Sequence, residues 1–124
     1  MTRTFEADEH LIVQGKDSEG LHLIASGGVK VEHEEGEERL HIATLGAGEV
    51  VGEVALVLRR KSNADVIAAH PTVTLHLPAE EFQAIIKQHP MLLAELYGLA
   101  VQRDEETSRI VAQEATEAED FVLL

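Results

Sequence analysis

Residues 48–66 read GEVVGEVALVLRRKSNADV, and how this stretch folds decides the rest of the chain. Gly46 and Gly48 permit a sharp approach, and Gly52 then precedes Glu53-Val54-Ala55-Leu56, which can form a short helix. The first amides of a helix have no intrahelical partner and point along its positive dipole end, so they favour negatively charged groups. A glycine turn into a short helix can let a ligand reach backbone N–H groups, although most glycine-rich turns only change the direction of the chain. The stretch continues into Arg59-Arg60-Lys61, the only basic cluster of the chain, and then into Ser62-Asn63-Ala64-Asp65.

On the N-terminal side of this cradle the apolar pattern has period two and is broken by glycines, the pattern of half-buried strands joined by turns. The expected strands are Leu11 to Gln14, Leu21 to Ala25, Val29 to His33 and Leu40 to Leu45 before it. Val66 to Ala69 and Val73 to Leu77 follow it, with alternation clearest in Val73, Leu75 and Leu77. Gly36, within Glu34-Glu35-Gly36-Glu37, marks a hairpin tip with its charges in water. So many short strands with regular turn signals suggest a sandwich or barrel.

The period changes near residue 78. Pro78 suits a first helical turn, Glu80 and Glu81 complement its dipole, and Phe82, Ile85 and Ile86 share one face. Pro90 ends or bends that helix, and Met91, Leu92, Leu93, Leu96, Leu99 and Ala100 continue at helical spacing towards Ile110 and Val111. The polar distal half of this long helix is expected to project from the core. The tail, 113–124, joins an acidic run to Phe121-Val122-Leu123-Leu124 and offers a docking segment for a partner or a second copy.

With 124 residues and 44% apolar side chains, the chain is expected to form a single domain over 1–124. Its parts are a β-roll over about 5–77, terminal helices over about 78–112 and the tail. No cysteine is present, which excludes disulfides, thiolate metal sites and a cysteine nucleophile. No signal peptide or membrane-spanning run is legible, and the expected location is the cytoplasm. Acidic residues outnumber basic ones 23 to 10, and a net charge of −13 repels phosphate backbones and anionic lipid surfaces, so neither nucleic acid nor membrane is an expected partner. His22, His33, His41 and His76 invite a cupin-like metal site, but no His-x-His pair with a following glutamate brings ligands to one strand face, and no metal is expected. Nor does any spacing suggest a catalytic trio.

The order of strands, Gly-Glu-x-Ala-Leu, Ala-x-Val and then two helices resembles the cyclic nucleotide-binding domain family, which includes the cAMP receptor protein and the regulatory subunits of protein kinase A. The resemblance runs from Phe5 to about Arg103 and is carried by several marks together. They are Gly15, Leu21-His22-Leu23-Ile24, Ser26-Gly27-Gly28-Val29-Lys30-Val31, Gly48, Gly52-Glu53-Val54-Ala55-Leu56, Ala64-Asp65-Val66, Ala68, Phe82 and Pro90. It implies a mainly β fold, an antiparallel jelly roll (double-stranded β-helix) with a short cassette helix and two terminal helices. It also implies a regulatory domain without catalysis, whose ligand is cAMP or cGMP.

Residue by residue, the resemblance gives Glu53 the ribose 2′-hydroxyl and gives Gly52, Val54 and Ala55 the amides for the cyclic phosphate. An arginine nine positions beyond the glutamate, then a small residue, alanine and threonine or serine, completes the family's cradle. Here those positions hold Ser62, Asn63, Ala64 and Asp65. A guanidinium gives charge-assisted paired bonds to phosphate, whereas a carboxylate beside the ligand repels it. These departures imply weakened or lost cAMP binding, with Arg59, Arg60 or Lys61 as substitute cations and Glu53 alternatively a brace for the cradle backbone. The chain also departs from the family at its ends, with about ten residues before the expected first strand and no helix-turn-helix after the long helix. The expected function is a sensory domain whose ligand shifts the last helices about a hinge at His89 and Pro90; the alternative is an interaction module that dimerises or binds a parent-protein partner through the last helix.

Overall fold

The computed structural model describes the backbone of residues 1–123 and the side chains of residues 1–113. Two antiparallel four-stranded sheets face one another, and helices follow the last strand. One sheet has the order β1 (Thr2–Phe5), β8 (Thr72–Pro78), β3 (Gly20–Ser26), β6 (Val50–Val51). The other has the order β2 (His10–Ile12), β7 (Asp65–Ala68), β4 (Gly28–Glu35), β5 (Glu38–Gly46). This is the jelly roll that the family resemblance implies, within the all-β architecture that the strand and turn pattern predicts. The hairpin tip falls at Gly36 and Glu37, where Gly36 takes a φ of 63°.

Between the sheets lie Phe5, Leu11, Ile24, Val29, Val51, Val66 and Ala68. A second cluster, Leu56, Phe82 and Ile86, joins the cassette helix α1 (Glu53–Val57) to α2 (Ala79–Gln88). The third helix, α3, begins at Pro90 after a break at His89 and runs to Leu123, past the expected end near 112. The acidic run it crosses is rich in alanine and glutamate, both strong helix formers. The side chains of the tail from Phe121 onward lie outside the described residues. Among the described residues, no helix is long and apolar enough to cross a membrane.

In β8 the period of two is present but its sides are exchanged. Thr72, Thr74 and His76 face inward while Leu75 is 48% exposed. Burying such polar groups requires hydrogen-bond partners. Thr72 Oγ1 donates to the carbonyl of His70 (2.8 Å) and accepts from the Gly28 amide (3.2 Å). Thr74 Oγ1 meets His22 Nδ1 at 3.0 Å, and the His22 ring stacks on His76 with centroids 4.5 Å apart. His22 is held down to about 4, first by burial and then by the nearby His76 and Arg3 charges. Two of the histidines considered as metal ligands thus belong to the packed interior, where they bond and stack with their neighbours.

Candidate functional site

The turn into α1 is fixed by Gly52, whose φ of 95° lies in the left-handed region. A Cβ there would stand 2.5 Å from the Gly20 carbonyl oxygen, so β3 and the cradle touch backbone to backbone. Gly52 is thereby required by the fold itself, in addition to any ligand approach. The turn aims the first residues of α1 at a cavity of about 170 Å³ between the cradle, β5 and α3. Its walls are mainly apolar, with Ile12, Val31, Ile42, Leu45, Val51 and Val66 contributing from the strands and their flanks.

Gly52, Glu53, Val54, Ala55, Ser62, Asn63 and Ala64 all line this cavity. Position 62 is held by its backbone, the Ser62 amide donating to Lys16 O (3.0 Å) and its carbonyl accepting from the Gly15 amide (2.8 Å). Asn63 is fixed from two sides. His33 Nδ1 donates to its carbonyl at 2.5 Å, and its own Nδ2 donates to Asp104 Oδ1 at 3.2 Å.

Asp65 stands apart from the others. It opens β7, and its neighbours on either side, Ala64 and Val66, both line the cavity, so its carboxylate faces the opposite side of the sheet. There Oδ1 accepts from the Gln14 amide (2.7 Å), and Oδ2 accepts from both terminal nitrogens of Arg39 (3.1 and 2.9 Å). In these contacts the aspartate links β7 to Arg39 of β5 and to the Gln14 backbone. Arg59, Arg60 and Lys61 are exposed and do not line the cavity, and Lys61 lies 3.8 Å from Asp17. Leu58 caps α1, and Arg59 beyond it has a φ of 53°, which turns the basic run outward.

The cation of the cavity comes from elsewhere. Arg103 of α3 reaches across, and its Nη1 donates to Glu53 Oε1 and to the Val50 carbonyl, the latter at 2.6 Å. Glu53 is 1% exposed, and its second oxygen, Oε2, is buried without a hydrogen-bond partner. One position on, Asp104 binds the Arg60 guanidinium along with Asn63. Glu106, Thr107 and Ile110 extend the same face of α3 along the cavity. The distal half of the long helix therefore covers the cradle in its first turns rather than projecting from it. Its spacing of 103, 107 and 110 is helical and present in the sequence, but Arg103 and Thr107 carry no apolar signal.

Against known families, the model described as cyclic nucleotide-binding domain matches residues 2–89. The chain is 30% identical over 128 aligned positions to the cyclic AMP receptor protein of Thermus thermophilus, covering 98% of this chain and 59% of that protein. It is also 30% identical over 87 positions to the cAMP-dependent protein kinase type II regulatory subunit of Drosophila melanogaster, covering 69% of this chain and 23% of that protein. Among solved structures, the catabolite activator protein of Thermus thermophilus superposes with a TM-score of 0.75 at 26% identity, covering 94% of this chain and 55% of that one. The chain thus spans less than two thirds of the length of these relatives.

Proposed function

Because the chain belongs to the cyclic nucleotide-binding domain family, we propose that it is a single regulatory domain whose cradle senses a small ligand and whose α3 reports occupancy. One observation carries this reading: both ends of the cradle are tied to consecutive residues of α3, Glu53 to Arg103 and Asn63 to Asp104. A ligand that competes for Glu53, or displaces Asn63, changes what holds α3 in place. The break at His89 gives that helix a point about which to move. Gly52, Glu53, Val54, Ala55, Ser62, Asn63 and Ala64 are the proposed contacts, with Arg103 added and Asp65 assigned to the scaffold. The role is regulatory and not catalytic.

Binding of cAMP or cGMP is proposed to be weak, since Ser62 supplies no guanidinium and a lost charged hydrogen bond lowers affinity by about tenfold to a hundredfold. Amide hydrogen exchange over residues 90–113, with and without saturating nucleotide, tests the sensory role. A bound ligand should alter protection of α3, and a ligand that raises the melting temperature while leaving α3 exchange untouched would remove the sensor reading.

The alternative, an interaction module, is favoured by a separate observation. Leu93 is 37% and Tyr97 54% exposed one turn apart on α3, an apolar surface suited to a second copy or a parent-protein partner. A solution mass equal to one chain at micromolar concentration would count against a homodimer on that face.

A further inference from the structure

Resting on the second reading, in which α3 serves an interaction, we infer that the groove between α1, α2 and the start of α3 receives the C-terminal tail, residues 114–124, of a second copy of this chain. The groove has a volume of about 540 Å³, with Leu56, Phe82 and Ile86 on its floor and Leu93 and Tyr97 on its rim. The floor residues form a buried cluster, while both rim residues are exposed, so apolar surface runs without a break from the core out to solvent. Such a surface gains most from a partner that brings apolar side chains to it.

One end of this groove is basic. Arg59 stands on its wall and also on that of an adjoining, more open hollow, which Arg60 and Lys61 line as well. Arg60 is bound by Asp104, and Lys61 lies 3.8 Å from Asp17. Arg59 is exposed and has no ion-pair partner among the described residues. In a chain of net charge −13, residues 59–61 are the one run of adjacent cations. An apolar floor beside a positive end suits an apolar segment flanked by carboxylates.

The chain itself carries such a segment. Glu114, Glu117, Glu119 and Asp120 stand in a stretch without a cation, and Phe121-Val122-Leu123-Leu124 follow at once. Carboxylates at the basic end would place the apolar residues over the floor, so the order of residue types in the tail matches the order of surfaces in the groove. The tail that arrives there belongs to another molecule. Helix α3 is continuous from Pro90 to Leu123, and at about 1.5 Å per residue it carries the chain from Tyr97 to Phe121 about 36 Å along its axis, away from the groove that Tyr97 borders. Two copies that exchange tails fill both grooves and close the assembly at two chains.

Sedimentation equilibrium at micromolar concentration, on the full chain and on a full-length Phe121→Asp variant, tests the exchange. The wild type should have the mass of two chains and Phe121→Asp that of one, its dimer dissociation constant raised tenfold or more with circular dichroism unchanged. A labelled peptide of residues 114–124 should bind full-length Phe121→Asp, and adding either Tyr97→Glu or Arg59→Glu should weaken that binding tenfold or more. If Phe121→Asp keeps the mass of two chains and the peptide does not bind, the copies meet elsewhere: the inference falls and the interaction reading stands. Peptide binding that neither groove variant weakens overturns the inference in the same way. A wild type with the mass of one chain overturns the exchange and the homodimer together.

Discussion

Arg103 of α3 donates to the buried Glu53 carboxylate of α1 across a chain separation of 50 residues, and the same Nη1 reaches the Val50 carbonyl. Removing the arginine strands a charged, buried carboxylate, a change that costs about 3 kcal/mol or more in such pairs. Arg103→Met should therefore lower the unfolding free energy by about that amount and speed amide exchange in α3. Glu53→Gln added to it should recover most of the loss, because no charge then remains to be solvated. Urea midpoints for the four proteins of this cycle measure the coupling directly.

Asp65 decides how the cradle can be repaired. Since it braces Arg39 and the Gln14 amide, its carboxylate is not among the groups that line the cavity. Ser62→Arg alone should raise cAMP affinity by about tenfold to a hundredfold, the worth of a charge-assisted hydrogen bond. Asp65→Thr should add nothing to affinity and should lower stability by about 2 kcal/mol, because the Gln14 amide loses its acceptor and Arg39 keeps only the longer contacts to Glu32 and Glu34. Calorimetric titration of the two single variants with cAMP separates these effects. A gain in affinity from Asp65→Thr would show that this carboxylate does act on the ligand.

Most of the fold is legible in the sequence because glycines and alternation mark the strands, and because the cradle stretch has a distinctive order of residue types. Two strands leave no such mark. Thr2–Phe5 holds one apolar residue, Phe5, so its alternating burial leaves no apolar alternation in the sequence, and Val50–Val51 is too short to show a period. The inward face of β8 is unreadable for another reason: Thr72, Thr74 and His76 are buried through partners distant in sequence, which no local pattern records. The site divides along the same line. Residues contiguous with the Gly-Glu stretch are identifiable from their order, while Arg103 and Thr107 depend on where a helix some 40 residues later comes to lie. Asp65 has the expected place in the chain, but its face is set by the alternation of β7, in which the next residue, Val66, lines the cavity.

His22 makes stability fall in acid. Its folded-state value of about 4 lies below the ordinary 6.5, so the unfolded chain takes up a proton before the folded one does. Stability from this group is complete above about pH 6.5, declines as the pH falls towards 4, and levels off below that, where both states are protonated. The decline should amount to roughly 2–3 kcal/mol over that window. A His22→Gln variant, able to keep a hydrogen bond to Thr74, should show a flatter profile across pH 6.5 to 4 in urea unfolding. An unchanged slope in that variant would move the acid sensitivity to other groups.

Gly52 concentrates the dependence of the cradle on the fold. Its φ of 95° is strained for any residue with a Cβ, and an added Cβ would meet the Gly20 carbonyl oxygen at 2.5 Å. That oxygen belongs to β3, whose partner β8 packs just as closely on Gly20: a Cβ at Gly20 would stand 2.1 Å from Leu77 O. Neither strand can retreat without breaking ladder hydrogen bonds. The cradle must move instead, carrying Glu53 away from Arg103. Gly52→Ala should accordingly cost about 2 kcal/mol or more in unfolding free energy and should also loosen α3. Gly48, whose Cβ position meets nothing within 4 Å although its φ is 89°, provides the control for conformational strain alone. Gly48→Ala should cost only about 1–2 kcal/mol and leave α3 exchange unchanged. Equal losses in the two variants, by urea midpoint and by α3 exchange, would mean that the Gly52–Gly20 contact contributes nothing to holding Glu53 against Arg103.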